Sequence, residues 1–142
     1  MDKESIFEWF KRYLEHKYLQ GLIKLEIIQI DNNKILFDTE IQEVKNLFQK
    51  NSLKNRKFCL CFDFENLENI SADFFVFPFT KQTEEFLIKN PNFLEKNKVW
   101  LLNPKSILET IYPIHKHLLE DLDSKNVKKY LDKIKNYIPM IE

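Results

Sequence analysis

At 142 residues and 17.3 kDa the chain suits a single domain, long enough to bury roughly two-thirds of its unfolded surface. Its one glycine excludes functions that rest on glycine-rich backbone loops, meaning P-loops, dinucleotide folds and flexible phosphate nests. The 22 basic and 22 acidic residues cancel, and Arg12 and Arg56 are the only arginines, so neither a whole-molecule field nor bidentate guanidinium recognition favours nucleic acid or an anionic membrane.

In chain order, Ser5 and Glu8 have capping-box spacing, and Ile6, Phe7, Phe10, Tyr13, Leu14 and Tyr18 follow at helical spacing. This predicts a helix over 6–20, ended by Gly21 as a left-handed cap. Leu25 to Ile30, the turn residues Asp31, Asn32 and Asn33, and Ile35 to Phe37 predict a β-hairpin. Thr39 and Gln42 repeat the capping-box spacing before Ile41, Val44, Leu47 and Phe48, which predicts a second helix to about Lys50.

Lys57 to Phe62 is apolar on both faces of a strand, the mark of a central strand under helices. Ser71 can cap a short helix carrying Phe74, Phe75 and Phe77, although Phe-Phe-Val-Phe also suits a strand. A helix over 80–89 stops at Asn90-Pro91, and Lys98 to Leu102 reads as another buried strand. Asn103-Pro104 predicts a helix start, with Ile107, Leu108, Ile111, Ile114, Leu118 and Leu119 as its stripe and a kink at Pro113. A last amphipathic helix over 124–137 is expected to bury Val127, Tyr130, Leu131, Ile134 and Tyr137. The expected fold is α/β: one domain over 1–142, with a mixed sheet of about four strands covered by helices, and extra helices at either end of a 22–122 core.

The start, Met1 to Ser5, lacks the plan of a signal peptide, and no apolar run approaches membrane-spanning length, so a cytoplasmic location and no membrane partner are expected. Cys59 and Cys61 fit a reducing compartment and read as buried core thiols. On the expected helix His115 and His117 point about 200° apart and cannot share an ion. Lys125, Lys128, Lys129, Lys133 and Lys135, interrupted by acids, read as a solvated face.

From Phe58 to Phe75 the chain resembles the central motif of STAS-like domains, the anti-sigma-factor-antagonist fold. A buried strand ends in Asp63, apolar Leu67 and Ile70 follow four and seven residues later, and Ser71-Ala72 open a helix. The similarity extends over about 22–122. It implies a domain that binds another protein through the Ser71 helix and its flanking loop, and not an enzyme. The position of the family's phosphorylated serine corresponds to Ala72, and its usual glycine to Phe74, which departs from a phospho-switch.

Asp63, Glu65, Glu68 and Asp73 gather where a central strand meets a helix, and the phenylalanines that follow cannot all face one core. The expected function is therefore a non-enzymatic protein-binding module that regulates or neutralises its partner, as a STAS-like regulator or a toxin-immunity protein does. Its expected contact residues are Asp63, Glu65, Glu68, Ser71, Asp73, Phe74, Phe75 and Phe77. No cofactor, metal or nucleic acid is expected, and a homodimer is compatible with this reading. The alternative is a small divalent-metal-dependent hydrolase using Asp63 and Asp73 as hard oxygen ligands.

Overall fold

A computed structural model of the chain describes residues 1–17, 22–41 and 54–141. The expected α/β class is observed, with six strands among the described residues instead of about four. The chain divides into two compact units, Asp2–Asp73 and Phe74–Glu142.

In the first unit, helix α1 (Lys3–Lys17) begins earlier than the Ser5 signal implies, because Asp2 Oδ1 accepts from the Ser5 N–H at 2.8 Å and caps it. Ile6, Phe10 and Leu14, one turn apart, are its buried stripe. The Phe10 ring meets Phe37 edge-on at 5.1 Å and Phe58 at 6.0 Å, which seats α1 on the strands. The predicted continuation over 18–20 and the Gly21 cap lie outside the described residues.

Strands β1 (Leu22–Asp31) and β2 (Lys34–Ile41) form the expected antiparallel hairpin, with Ile27 opposite Phe37. The Asp31 carboxylate accepts from the Asn33 N–H at 2.7 Å, which tightens the Asn32-Asn33 turn. β2 pairs antiparallel with β3 (Lys54–Cys61), placing Lys34 opposite Cys61 and Phe37 opposite Phe58. Phe58, Cys59, Leu60 and Cys61 are all buried, so β3 is covered on both faces as its apolar run predicts. Thr39 is not a helix cap: it lies in β2, and its hydroxyl donates to the Arg56 carbonyl at 2.9 Å. The helix expected over 42–50 lies outside the described residues.

After β3 the chain reaches a 3₁₀ turn, Leu67–Asn69, through Asn66 at φ 58°. That left-handed position is where glycine is commonest, and in a chain with one glycine asparagine fills it. Leu67 is the buried member of this turn.

In the second unit, β4 (Phe74–Pro78) runs parallel to β5 (Val99–Leu102), connected by α2 (Lys81–Lys89) and α3 (Pro91–Lys96). The Phe-rich segment is therefore a strand. Thr80 caps α2 through the Thr83 N–H at 3.2 Å. Phe75 and Phe77 point to the face where Phe86 and Phe93 lie, and their rings pack 5.2 to 6.1 Å apart, which offers the period-2 apolar face a stronger burial than one short helix turn gives.

No helix starts at Asn103. Its side chain is buried, accepting from the Lys105 N–H at 3.0 Å and donating to the Pro139 carbonyl at 2.6 Å, so the residue closes a turn. Ile107 is 97% exposed, and Ile111–Pro113 form β6, antiparallel to β5. A 3₁₀ turn follows at Lys116–Leu118. Helix α4 (Ser124–Ile134), capped by Asp123, buries Val127, Leu131 and Ile134 and lies against α2. It ends before Tyr137, which is 53% exposed and not buried as expected. Lys135 forms an ion pair with Glu84 of α2.

Candidate functional site

The predicted contact residues fall in different settings within the two units. At the end of β3, Asp63 accepts from the Lys34 ammonium at 2.5 Å, the Asn33 side-chain amide at 3.2 Å and the Glu65 N–H at 3.4 Å. Lys34 is only 1% exposed and also reaches Asp31 at 2.9 Å. Burial alone pulls its pKa down, but the hydrogen bonds to Asp63 and Asp31, aided by both charges, outweigh this and raise it to about 12. The Lys34 hydrogen bond, followed by that from the Asn33 N–H, holds the Asp31 carboxyl below its ordinary value. Lys34 is thus a buried cation between two carboxylates, and Asp63 is one of its counter-ions.

Glu65, Glu68 and Ser71 are exposed. Asp73 is exposed too, yet its carboxylate accepts from the Lys57 N–H at 2.7 Å while its own N–H donates to the Lys57 carbonyl at 2.9 Å. This two-way clip is a structural role for Asp73. In the second unit Phe75 and Phe77 are 2% and 0% exposed, and Phe79 is also buried, which leaves Phe74 as the half-buried ring of the run.

The Cys59 and Cys61 thiols are free and buried, with Cys61 Sγ 3.5 Å from both Cys59 Sγ and the Cys59 carbonyl. The hydrogen bond donated by Cys61 lowers the Cys59 pKa, with the Lys34 charge adding to it against burial, and the same bond together with burial pushes Cys61 up. The thiols are core residues, as expected.

A cleft of about 430 Å³ opens on the second unit, within the ~300–1,000 Å³ range of ligand clefts. It is built by β4, by the residues entering β5 and by the turn after β6. β4 presents Phe74 on the face opposite Phe75, and β5 presents Trp100 beside it at 4.9 Å with the rings tilted by 42°. Lys98 lies with its ammonium 5.4 Å from the Phe74 centroid, a cation–π contact. The Ile114 N–H donates to the Val99 carbonyl at 2.8 Å, which carries the chain after β6 along this wall.

That wall corrects the histidine reading. His115 has extended backbone, φ −102° and ψ 99°, and its ring stands 5.5 Å from that of His117. The two imidazoles therefore converge on the cleft. Among the described residues no group of three or more His, Cys, Asp or Glu side chains is placed to hold a metal ion. Lys96 and Lys116 line the same cleft, and Lys116 is steadied by donating to the Glu95 carbonyl at 3.0 Å. The lining thus carries three ammonium groups and two imidazoles against the single carboxylate of Glu95.

Sequence reasoning placed Trp100 in a buried strand and the histidines on a helix, and so missed this grouping. A signal was present: Thr110-Ile111-Tyr112 is a strand-forming run closed by Pro113, and that proline disfavours the preceding helix. No family model, curated protein or solved structure matches the chain. Among the described residues no helix is long and apolar enough to cross a membrane.

Proposed function

We propose that this protein is a non-enzymatic module that binds another protein, and that its contact surface is the cleft walled by Phe74 and Trp100. The observation that carries this reading is the placing of two half-buried aromatic side chains in an open cleft ringed by exposed Lys96, Lys98, Lys116, His115 and His117. An amphipathic aromatic floor with a charged rim is the composition of a protein-binding hot spot. Regulation or neutralisation of the partner, of the STAS-like or immunity kind, is the biological role this module would serve, in the cytoplasm. Asp63 and Asp73 are structural residues of the first unit in this reading, since their carboxylates already pair with Lys34 and with the Lys57 N–H.

The reading is tested by replacing Lys96, an exposed residue of the lining, with a photo-crosslinking amino acid in the native host. One discrete protein adduct is expected, lost when Phe74→Ala is added. An adduct pattern indifferent to Phe74→Ala, or no protein adduct, overturns it.

A further inference from the structure

The charge of the cleft narrows what it can hold. Three of its side chains are cationic, Lys96, Lys98 and Lys116, and His115 and His117 add imidazole N–H donors, whereas Glu95 is its one acid, and the whole chain has no net charge. This positive concentration is therefore local, and its apolar floor of Phe74 and Trp100 lies inside it. A basic segment would meet like charges at the rim, and a purely apolar one would cover ammonium groups without pairing them. Resting on the protein-binding reading above, we propose that the cleft takes an acidic, extended segment of the partner, with one aromatic or aliphatic side chain seated against Phe74 and Trp100.

The geometry divides the work. The anchor side chain supplies apolar contact at the floor, where Lys98 already lies over the Phe74 ring. Carboxylates flanking the anchor meet the ammonium groups of Lys96, Lys98 and Lys116 and the imidazoles of His115 and His117 that line the cleft. Lys116 is held in position by the Glu95 carbonyl, so its ammonium is partly preorganised for an anion. A single-stranded oligonucleotide also offers anions and flat rings. The cleft favours the peptide because its two aromatic rings pack 4.9 Å from each other at a 42° tilt, no parallel platform for successive bases, and because no arginine lines it.

The test is selection of twelve-residue peptides from a random display library on the full chain, followed by titration of the most enriched peptide by anisotropy. The expected consensus has at least two Asp or Glu within three residues of a Phe, Trp, Leu or Ile. Lys98→Glu combined with Lys116→Glu is expected to weaken that peptide at least tenfold, with the melting curve shifted only slightly, since both side chains are exposed and lose one surface contact each. Raising salt from 50 to 500 mM is expected to weaken it as well. A neutral or basic consensus, no enrichment, charge reversal without effect, or a ten-nucleotide oligothymidine that binds more tightly and displaces the peptide overturns the proposal. A neutral or basic consensus alongside a Phe74-dependent protein adduct defeats the acidic-segment inference alone. The absence of any protein adduct, or one indifferent to Phe74→Ala, defeats the protein-binding reading.

Discussion

Lys34 and Asp63 form a part-buried ion pair at 2.5 Å, in which the lysine side chain is 1% exposed and the carboxylate side chain 27%. A strand end that looks like a metal ligand in the sequence is thus the counter-ion of a buried lysine. Removing one partner of a buried pair costs about 3–5 kcal/mol when the other charge is left alone. Asp31 remains beside Lys34, so Asp63→Ala is expected to destabilise the protein by about 2–3 kcal/mol, read from urea unfolding. Millimolar Mg²⁺ or Mn²⁺ should give neither heat nor a thermal shift in the unmodified chain, and a clear metal-dependent stabilisation would restore the hydrolase alternative.

The same pair sets an alkaline limit. Because the folded pKa of Lys34 lies above the ordinary 10.5, at about 12, its stabilisation is complete below pH 10.5 and disappears as pH rises through about 12. The stability difference between the unmodified protein and Lys34→Met is expected to shrink across that window. A difference that stays constant from pH 9 to 12 contradicts the assignment.

Neighbouring phenylalanines are expected to separate stability from binding. Phe77 is fully buried among Phe86 and Phe93, and Phe77→Ala should cost about 3–5 kcal/mol. Phe74 is half-buried, and Phe74→Ala should cost about 1–2 kcal/mol while abolishing partner binding. Equal losses of stability in the two variants would place Phe74 in the core.

The turn at Asn103 offers a third contrast. Asn103→Ala removes the donor to the Pro139 carbonyl and the acceptor for the Lys105 N–H, and should cost about 1–3 kcal/mol. Ile107→Asp, at a side chain 97% exposed, should stay within about 0.5 kcal/mol. Substantial destabilisation by Ile107→Asp would support the helix that the amphipathic spacing suggested.

Oxidation and alkylation should distinguish the thiols by order. Both are buried, so the native protein is expected to react slowly with iodoacetamide at neutral pH. In low urea Cys59, whose thiol titrates below Cys61, should be modified first, as read by peptide mapping. Modification of Cys61 ahead of Cys59 would contradict the direction of their hydrogen bond.

Local pattern carried much of the architecture. The stripe Ile6, Phe10 and Leu14, the Asn32-Asn33 turn, the doubly apolar β3, the Thr80 cap and the face of α4 follow from spacing and turn chemistry within a few residues. Scarcity of glycine was also informative in sequence, and the structure shows Asn66 taking the left-handed position in the loop after β3. The segment from Asn103 to Leu119 was illegible because its helical spacing competes with long-range partners that spacing cannot register. The Pro139 carbonyl draws the Asn103 amide, and β5 draws Ile111 to Pro113 into a ladder. Those contacts brought His115, His117 and Lys116 to the aromatic pair Phe74 and Trp100. The sequence by itself determined the α/β class and most of the elements. Only tertiary structure decided which charges and rings share a surface, because that depends on pairings between residues far apart in the chain, such as Glu84 and Lys135, where hydrogen bonding and burial outweigh local preference.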